Sequence, residues 1–208
     1  VFHFAGLKSV SESEINPFLY YDNNVGGTLQ LLKALNESDC KIIIFSSSAT
    51  VYGNPNYLPF NEKHQTNPIN VYGKTKLTCE NLIEAWSRNL KSRLCIALRY
   101  FNPIGAHSSG LFGEYPSGTP NNLLPYICKV ANNEIEYLKV FGNDYDTFDG
   151  TGVRDYLHVM DIAEAHTKCL ELLDKQNGFL KLNLGVGHGY SVLEVINTFE
   201  KINNVKIP

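Results

Sequence analysis

The residues best suited to chemistry in this sequence are a tyrosine and a lysine four positions apart, Tyr72 and Lys76. If they lie on a helix they share a face, because residues at i and i+4 are neighbours there. An ammonium near a phenol stabilises the phenolate, so we expect Lys76 to lower the pKa of Tyr72 from about 10 toward neutrality. A tyrosine tuned in this way can take a proton from a sugar or alcohol hydroxyl as a general base.

The same spacing also has a plainer interpretation. Tyr-x-x-x-Lys arises by chance on amphipathic helices, where the tyrosine is half-buried and the lysine is solvated. Ser48 makes the catalytic interpretation more specific, because it follows a buried apolar run. In parallel α/β sheets ligands gather at the carboxyl ends of the strands, where Ser48 could bind a substrate oxygen. Serines also end strands and begin turns for purely structural reasons.

Five short apolar runs predict the buried strands that would position these side chains. They cover residues 1–5, 41–47, 94–101, 137–141 and 179–184. Helical spacing occurs between them, notably in residues 17–35 and in residues 71–90, which carry Tyr72 and Lys76. Two later helices are predicted to begin at Asp161, as an N-cap, and at Ser191, whose partner Glu194 completes a capping box.

Strand and helix alternate over the first hundred residues, which predicts an α/β fold with a parallel sheet and crossover connections. The second hundred residues contain long loops rich in Gly, Pro and Asn. Long loops with many aromatic and turn residues are usually functional when ordered. We therefore predict a boundary between residues 102 and 103.

Composition narrows the class of protein. The chain has 208 residues, 43% hydrophobic and 19% charged, which suits one globular domain or a domain with a small appendage. Its net charge is -3 and it has no basic cluster, which argues against a nucleic-acid partner. It has no run of 18 apolar residues that would predict a membrane span.

The cysteines and histidines give no sign of a disulfide framework or a metal site. The five cysteines are odd in number and dispersed, which indicates free thiols in a reducing compartment. They are Cys40, Cys79, Cys95, Cys128 and Cys169. None of the six histidines has the spacing of a zinc motif, so we predict no metal.

Longer stretches of the chain resemble a known family. These stretches are VFHFAGLKSV, YYDNNVGGTLQLL, FSSSATVYG, NVYGKTK, RYFNPIGAH, PNNLLPYI and FGNDYDTFDGTGVRDYLHVMDIA. They look like the UDP-glucose 4-epimerases of the extended short-chain dehydrogenase/reductase superfamily, and the resemblance covers essentially the whole chain. It implies the second half of an NAD-binding Rossmann-type sheet in residues 1–102 and mostly a small nucleotide-sugar-binding α/β region in residues 103–208.

The resemblance implies a reaction and three catalytic residues. Tyr72 would deprotonate the sugar 4-hydroxyl while hydride leaves C4 for NAD, and the resulting 4-keto sugar would rotate and accept the hydride on its other face. Ser48 would bind O4, and Lys76 would lower the pKa of Tyr72 and hold the nicotinamide ribose. The substrates implied are UDP-glucose and UDP-galactose, with their N-acetyl forms left open.

Binding residues carry over from the same motifs. The implied cofactor-binding residues are Phe4, Ala5, Gly6, Leu7, Lys8, Asn23, Tyr72, Lys76 and Phe101. The implied substrate-binding residues are Lys8, Ser48, Tyr72, Asn102, Asn122, Leu123, Val140, Phe141 and Arg154. Arg154 has a rationale of its own, because a guanidinium suits a diphosphate well. A role for Arg154 in loop structure alone stays open.

Complete family members begin with a strand, a glycine-rich turn and a ribose-binding acid that do not precede Val1, so we expect this chain to be a central fragment. The family also implies a cytoplasmic homodimer that packs through residues 17–35 and 71–90. Two alternatives stay open. One is a 4,6-dehydratase or decarboxylase on the same scaffold, although Ala49 and Thr50 stand where dehydratases carry an Asp-Glu pair. The other is a non-catalytic binding module.

Overall fold

The computed structural model describes residues 1–89, 92–116, 120, 122–172 and 175–208. The chain forms two compact units. The first contains Val1–Phe101 and Ile162–Leu184, and the second contains Asn102–Asp161 and Gly185–Pro208. Residues 162–184 thus belong with the first hundred residues, a return of the chain that the sequence analysis did not include.

A four-stranded parallel sheet is the centre of the first unit. Its order is β1 (Phe2–His3), β2 (Ile42–Ser48), β3 (Leu94–Tyr100) and β7 (Gly178–Leu184). The neighbouring strands all run parallel. Both strands are buried along most of their length, and successive residues of β2 and β3 alternate between the two core clusters, so both faces of these strands carry apolar side chains. The predicted α/β fold with a parallel sheet is confirmed.

Helices cover both faces of this sheet. On one face α3 (Gly27–Asn36) and α4 (Val71–Arg88) pack through a cluster that includes Leu32, Ile83 and Phe45. On the other face Cys169, at the end of α6 (Val159–Cys169), packs against Ile44 and its neighbours in β3. The sheet is buried on both sides, as a parallel sheet requires.

Short helices connect β1 to α3. They are α1 (Val10–Ile15), α2 (Pro17–Tyr20) and a π-helical segment, Tyr21–Gly26, that runs into α3. Residues 17–35, predicted as one helix, therefore contain a local change of helical geometry. Helix α4 was predicted to end at residue 90, which lies outside the described residues. The helix ends at Arg88.

The second unit contains two small sheets and two helices. Strands β4 (Asn102–Ile104) and β6 (Tyr156–His158) pair in parallel. Strands β5 (Val153–Arg154) and β8 (Tyr190–Ser191) pair antiparallel. The helices are α5 (Leu123–Ala131) and α7 (Val192–Asn203). The capping box predicted for Ser191 and Glu194 is confirmed at the start of α7.

Two local predictions were wrong. Residues 137–141 form no strand, because a short apolar run becomes a strand only where a neighbouring strand pairs with it. Helix α6 begins at Val159, two residues before the predicted cap, and His158 accepts the Met160 N–H at 3.1 Å there. Within the described ranges, the chain has no helix long and apolar enough to cross a membrane.

Candidate active site

Ser48 lies where the sequence predicted it, at the carboxyl end of β2. Its hydroxyl oxygen accepts a hydrogen bond from the Thr50 N–H at 3.2 Å and caps the turn Ala49–Val51. The side chain is almost fully buried. This capping contact fixes the direction in which the hydroxyl faces at the strand end.

Tyr72 lies in the first turn of α4, and its hydroxyl is close enough to Ser48 to form a hydrogen bond. Burial raises the pKa of Tyr72, and the hydrogen bond with Ser48 lowers it by less. The predicted lowering of this pKa was therefore wrong for the chain without ligands. The phenolate loses more solvation in the protein than its polar neighbours restore.

Lys76 is buried one turn further along α4, and only 5% of its side chain is exposed. Its ammonium donates to the carbonyl oxygen of Ser46 at 2.7 Å and lies 4.9 Å from the Phe45 ring centre. It also lies 5.7 Å from the centre of the Tyr72 ring. Burial lowers the pKa of Lys76 to about 8. The positive charge of Lys76 therefore lies close to Tyr72, and Lys76 loses its proton more readily than an ordinary lysine.

This lowered pKa predicts a pH-dependent stability. In the unfolded chain the pKa of a lysine stays near 10.5, so the unfolded state binds more protons between pH 8 and 10.5. We compare the complete protein without cofactor with its Lys76→Met variant. The unfolding free energy of the wild type should rise by about 2 to 3 kcal/mol more than that of the variant between pH 7 and about pH 10. Denaturant titrations at both pH values measure it, and parallel curves for the two proteins would contradict it.

The predicted cofactor loop follows β1 and lies next to Lys76. A side-chain Cβ at Gly6 would come 3.2 Å from Asn24 Oδ1 and 3.6 Å from Lys76 Nζ. Asn24 also fixes the loop, because its side chain accepts from Leu7 N at 2.8 Å and donates to Leu7 O at 3.1 Å. Only a glycine fits this loop without moving its neighbours. Ala5 and Lys8, on either side of Gly6 and Leu7, are exposed.

The two asparagines of the π-helical segment differ in environment. Asn23, the predicted cofactor contact, is exposed, whereas Asn24 is 3% exposed. Besides Leu7, Asn24 reaches Thr75 Oγ1 at 3.3 Å. Sequence analysis missed Asn24 because a π-helical turn changes which residue faces inward, and α-helical spacing does not predict that change.

Aromatic side chains surround the ends of β1 and β3. The exposed Phe4 ring lies 4.8 Å from the ring of His166, which forms a 2.8 Å hydrogen bond with the Tyr100 hydroxyl. His166 Nδ1 lies 2.8 Å from the carbonyl oxygen of Ile162, so Nδ1 carries the proton and Nε2 accepts from Tyr100. Phe101, half-buried, follows Tyr100 at the end of β3.

A buried ion pair lies between β3 and α4. Arg99 donates to both carboxylate oxygens of Glu80, at 3.0 and 2.6 Å, and both side chains are 2% exposed. The Ser47 hydroxyl also donates to Glu80. Burial works against the charged form of Arg99, but the hydrogen bonds and charge of Glu80 raise its pKa. This pair joins the strand segment beside Ser48 to the helix that carries Tyr72.

In the second unit Asp155 connects the predicted substrate residue Asn102 to the loop after β7. Its carbonyl oxygen accepts from the backbone and side-chain N–H groups of Asn102, at 3.0 and 2.9 Å. Its carboxylate accepts from Val186 N and Gly187 N at 2.9 and 2.8 Å. Arg154, the residue before it, is exposed and donates to Val153 O at 2.8 Å. Asp155 was missed because its partners are distant in sequence.

The remaining predicted substrate residues lie on α5 and in the loop after it. Asn122 is exposed at the N-cap of α5 and donates to Glu114 at 3.2 Å, and Leu123 begins that helix. Val140 is 38% exposed and Phe141 is 76% exposed. The described residues contain no group of three or more metal-ligating side chains.

Comparison with known proteins agrees with this geometry. Residues 1–185 match the model of the NAD dependent epimerase/dehydratase family. The chain is 53% identical to the UDP-glucose 4-epimerase of Bos taurus and 50% identical to that of Bacillus subtilis, over its whole length. It superposes with a TM-score of 0.95 on the UDP-glucose 4-epimerase of Bifidobacterium longum, 51% identical and solved in complex with NAD+ and UDP.

The chain belongs to the NAD dependent epimerase/dehydratase family, whose fold combines a Rossmann-type sheet with helices. The resemblance to UDP-glucose 4-epimerases is confirmed. The chain spans 60% of the Bos taurus relative and 61% of the Bacillus subtilis relative, and it covers 62% of the Bifidobacterium longum structure.

Proposed function

We propose that the complete protein interconverts UDP-glucose and UDP-galactose with NAD, inverting C4 of the sugar, and that it serves galactose metabolism. The observation that carries this proposal is the convergence of Tyr72 with Ser48 and Lys76, beside Gly6, at the carboxyl edge of a parallel sheet. The names of the relatives support the same reaction.

The residues around Gly6 fit NAD. Gly6 has no side chain where the backbone approaches Asn24 and Lys76, and the aromatic Phe4 beside it is exposed. We assign the cofactor-binding role to residues of this loop, the π-helical segment, α4 and the end of β3. They are Phe4, Ala5, Gly6, Leu7, Lys8, Asn23, Tyr72, Lys76 and Phe101.

The side chains divide the proton chemistry between them. Tyr72 removes the proton from the sugar O4 and later returns it, while the Ser48 hydroxyl, fixed by Thr50, holds O4 in place. NAD, when bound, supplies the hydride acceptor, and its positively charged nicotinamide ring favours the phenolate form of Tyr72. Burial raises the pKa of Tyr72, so formation of the phenolate depends on positive charge placed beside it.

Lys76 has a second role that follows from its donors. An ammonium has three N–H groups, and one of them is used on the carbonyl oxygen of Ser46. The other two are available for the hydroxyls of the nicotinamide ribose. Lys76 thus adds positive charge near Tyr72 and orients the cofactor at the same time.

We assign the nucleotide part of the substrate to residues of the second unit, and a separate substrate contact to Lys8 in the first unit. The residues are Asn102, Asn122, Leu123, Val140, Phe141 and Arg154. Arg154 is exposed on β5, and a guanidinium can donate two parallel hydrogen bonds to a diphosphate. Asp155 supports this strand through its contacts with Asn102 and with the loop after β7.

Replacing Arg154 by leucine tests that assignment. A charge-assisted hydrogen bond contributes about 1.5 to 3 kcal/mol, so we expect KM for UDP-galactose to rise about 10- to 100-fold with kcat changed little. Arg154→Lys should lie in between, since an ammonium cannot form the paired contacts. Steady-state kinetics measure this, and an unchanged KM in Arg154→Leu would assign Arg154 to loop structure.

We also propose that the protein is a homodimer in a reducing compartment, the cytoplasm. Ile15, Phe18 and Leu29 on the helices before β2 are 76%, 83% and 39% exposed, which supports a partner surface on those helices. All five cysteines are free, which supports a reducing compartment. Light scattering of the complete protein measures its mass in solution.

The direct test of the reaction is an assay of the complete protein with UDP-galactose. Formation of UDP-glucose, followed by NMR, supports the epimerase, and the N-acetylated sugar nucleotides should be assayed in parallel. A 4-keto-6-deoxy product would instead indicate the dehydratase alternative. That alternative is not favoured, because the turn Ala49–Val51 contains no carboxylate.

A further inference from the structure

The helix that carries Tyr72 has an unusual set of partners at its first turn. An α-helix leaves its first four N–H groups without an intrahelical acceptor. In α4 the residue before the helix, Asn70, satisfies two of them. Its side chain accepts from Gly73 N at 2.7 Å, and its carbonyl oxygen accepts from Lys74 N at 3.0 Å. These two contacts are local and present in many helices.

The other two N–H groups, on Val71 and Tyr72, find partners far away in sequence. Val71 N donates to Glu14 Oε1 at 2.7 Å, and Tyr72 N donates to Ser13 Oγ at 3.1 Å. Both acceptors belong to α1, almost sixty residues earlier in the chain. The backbone at Tyr72, on α4, is therefore held in place by helix α1.

The Ser13 contact is specific in geometry. Ser13 is fully buried, and its hydroxyl donates to the carbonyl oxygen of Val10 at 2.6 Å. Its single proton is thus used inside α1, so toward Tyr72 the oxygen can only accept. A change in the position of α1 would lengthen or bend this bond, because the bond to Val10 fixes the orientation of the Ser13 hydroxyl within α1.

Helix α1 directly follows the cofactor loop at residues 4–8. The same loop is tied to α4 a second time, because Asn24 binds Leu7 and reaches Thr75 Oγ1 at 3.3 Å. Thr75 in turn donates to the carbonyl oxygen of Tyr72 at 2.8 Å. The N–H and the carbonyl of Tyr72 are therefore both connected to the segment that contains Gly6.

We propose that Ser13 and Glu14 are positioning residues, which hold Tyr72 in register with the cofactor loop so that its hydroxyl meets the sugar O4 while C4 faces the cofactor. This inference rests on the proposed function. An ordinary helix cap would contribute to stability alone, whereas a positioning cap also sets the rate of the chemical step. Small misplacements of a reacting group can lower a rate by about 100-fold.

Variants of the complete protein separate these two roles. In Ser13→Ala we expect kcat to fall about 10- to 100-fold while KM for UDP-galactose changes less than about twofold. Glu14→Ala, at an exposed site that does not threaten folding, should lower kcat in the same direction by less. Glu14→Gln keeps an oxygen acceptor for Val71 N and should restore the wild-type kcat. Ser11→Ala, on the exposed face of α1, is the matched control.

A second readout does not depend on catalysis. The backbone amides of Val71 and Tyr72 should exchange with solvent faster in Ser13→Ala than in Ser11→Ala. If these amides exchange faster but kcat is unchanged in both Ser13→Ala and Glu14→Ala, Ser13 and Glu14 only cap the helix, and the proposal is overturned. If the wild-type protein does not convert UDP-galactose, the proposed function fails instead, and unchanged exchange would independently show that the cap does not hold Tyr72.

Discussion

Replacing Tyr72 by phenylalanine should lower kcat of the complete protein for UDP-galactose by at least about 1000-fold. The substitution removes only the phenolic hydroxyl, the group that we propose transfers the O4 proton beside Ser48. The ring and the buried Lys76 beside it stay in place, so the protein should purify with as much NAD as the wild type. Steady-state rates and the NAD content of the purified protein measure the two effects separately.

A matched control is Tyr57→Phe. Tyr57 is 46% exposed, and its hydroxyl donates to Asn61 at 2.9 Å, away from α4. The kcat of Tyr57→Phe for UDP-galactose should stay within about twofold of the wild-type value. A Tyr72→Phe variant that retains full activity would rule out Tyr72 as the acid and base, and loss of NAD from that variant would show that the hydroxyl acts mainly in cofactor binding.

Replacing Glu80 by leucine should lower the unfolding free energy by about 3 to 5 kcal/mol. The substitution leaves the guanidinium of Arg99 buried without its anionic partner, and it removes the acceptor of the Ser47 hydroxyl. Removal of one member of a buried pair is costly because the remaining charge has no water to solvate it. Denaturant-induced unfolding of the complete protein measures the change.

The same helix offers a matched comparison four residues on. Glu84 pairs with Arg88 at 2.6 Å, the same distance as in the buried pair, but these side chains are 29% and 75% exposed. Glu84→Leu should cost less than about 1 kcal/mol. The double variant Glu80→Leu/Arg99→Leu should recover part of the stability lost in Glu80→Leu. Equal costs for Glu80→Leu and Glu84→Leu would contradict the argument from burial.

Much of the fold could be predicted from sequence because its signals are local. The apolar runs that became β2, β3 and β7 each lie between turn residues, and strand-helix alternation specified a parallel sheet. The Ser191 and Glu194 capping box depends on two residues three apart, and it forms as predicted. Residues 137–141 carry a similar apolar signal, but no strand among the described residues pairs with them.

The candidate site was predicted in its residue types but not in its support. Tyr72, Lys76 and Ser48 could be found by spacing, yet the contacts that support them could not. Ser13 binds the Tyr72 N–H, and Asn24 binds Thr75 on the same helix, each across about fifty residues or more of sequence. The direction of the Tyr72 pKa was predicted wrongly for a related reason. Spacing reveals the nearby ammonium, whereas the burial that raises the pKa of Tyr72 depends on the whole packed unit.

In the proposed mechanism, hydride leaves C4 of the sugar and returns to the same carbon on its other face. The most direct test is to incubate the complete protein with UDP-galactose that carries deuterium at C4 and to locate the label in the product by NMR. We predict UDP-glucose with deuterium retained at C4 and no exchange with solvent. UDP-glucose that has lost this deuterium to water, or no UDP-glucose at all, would contradict the proposed mechanism.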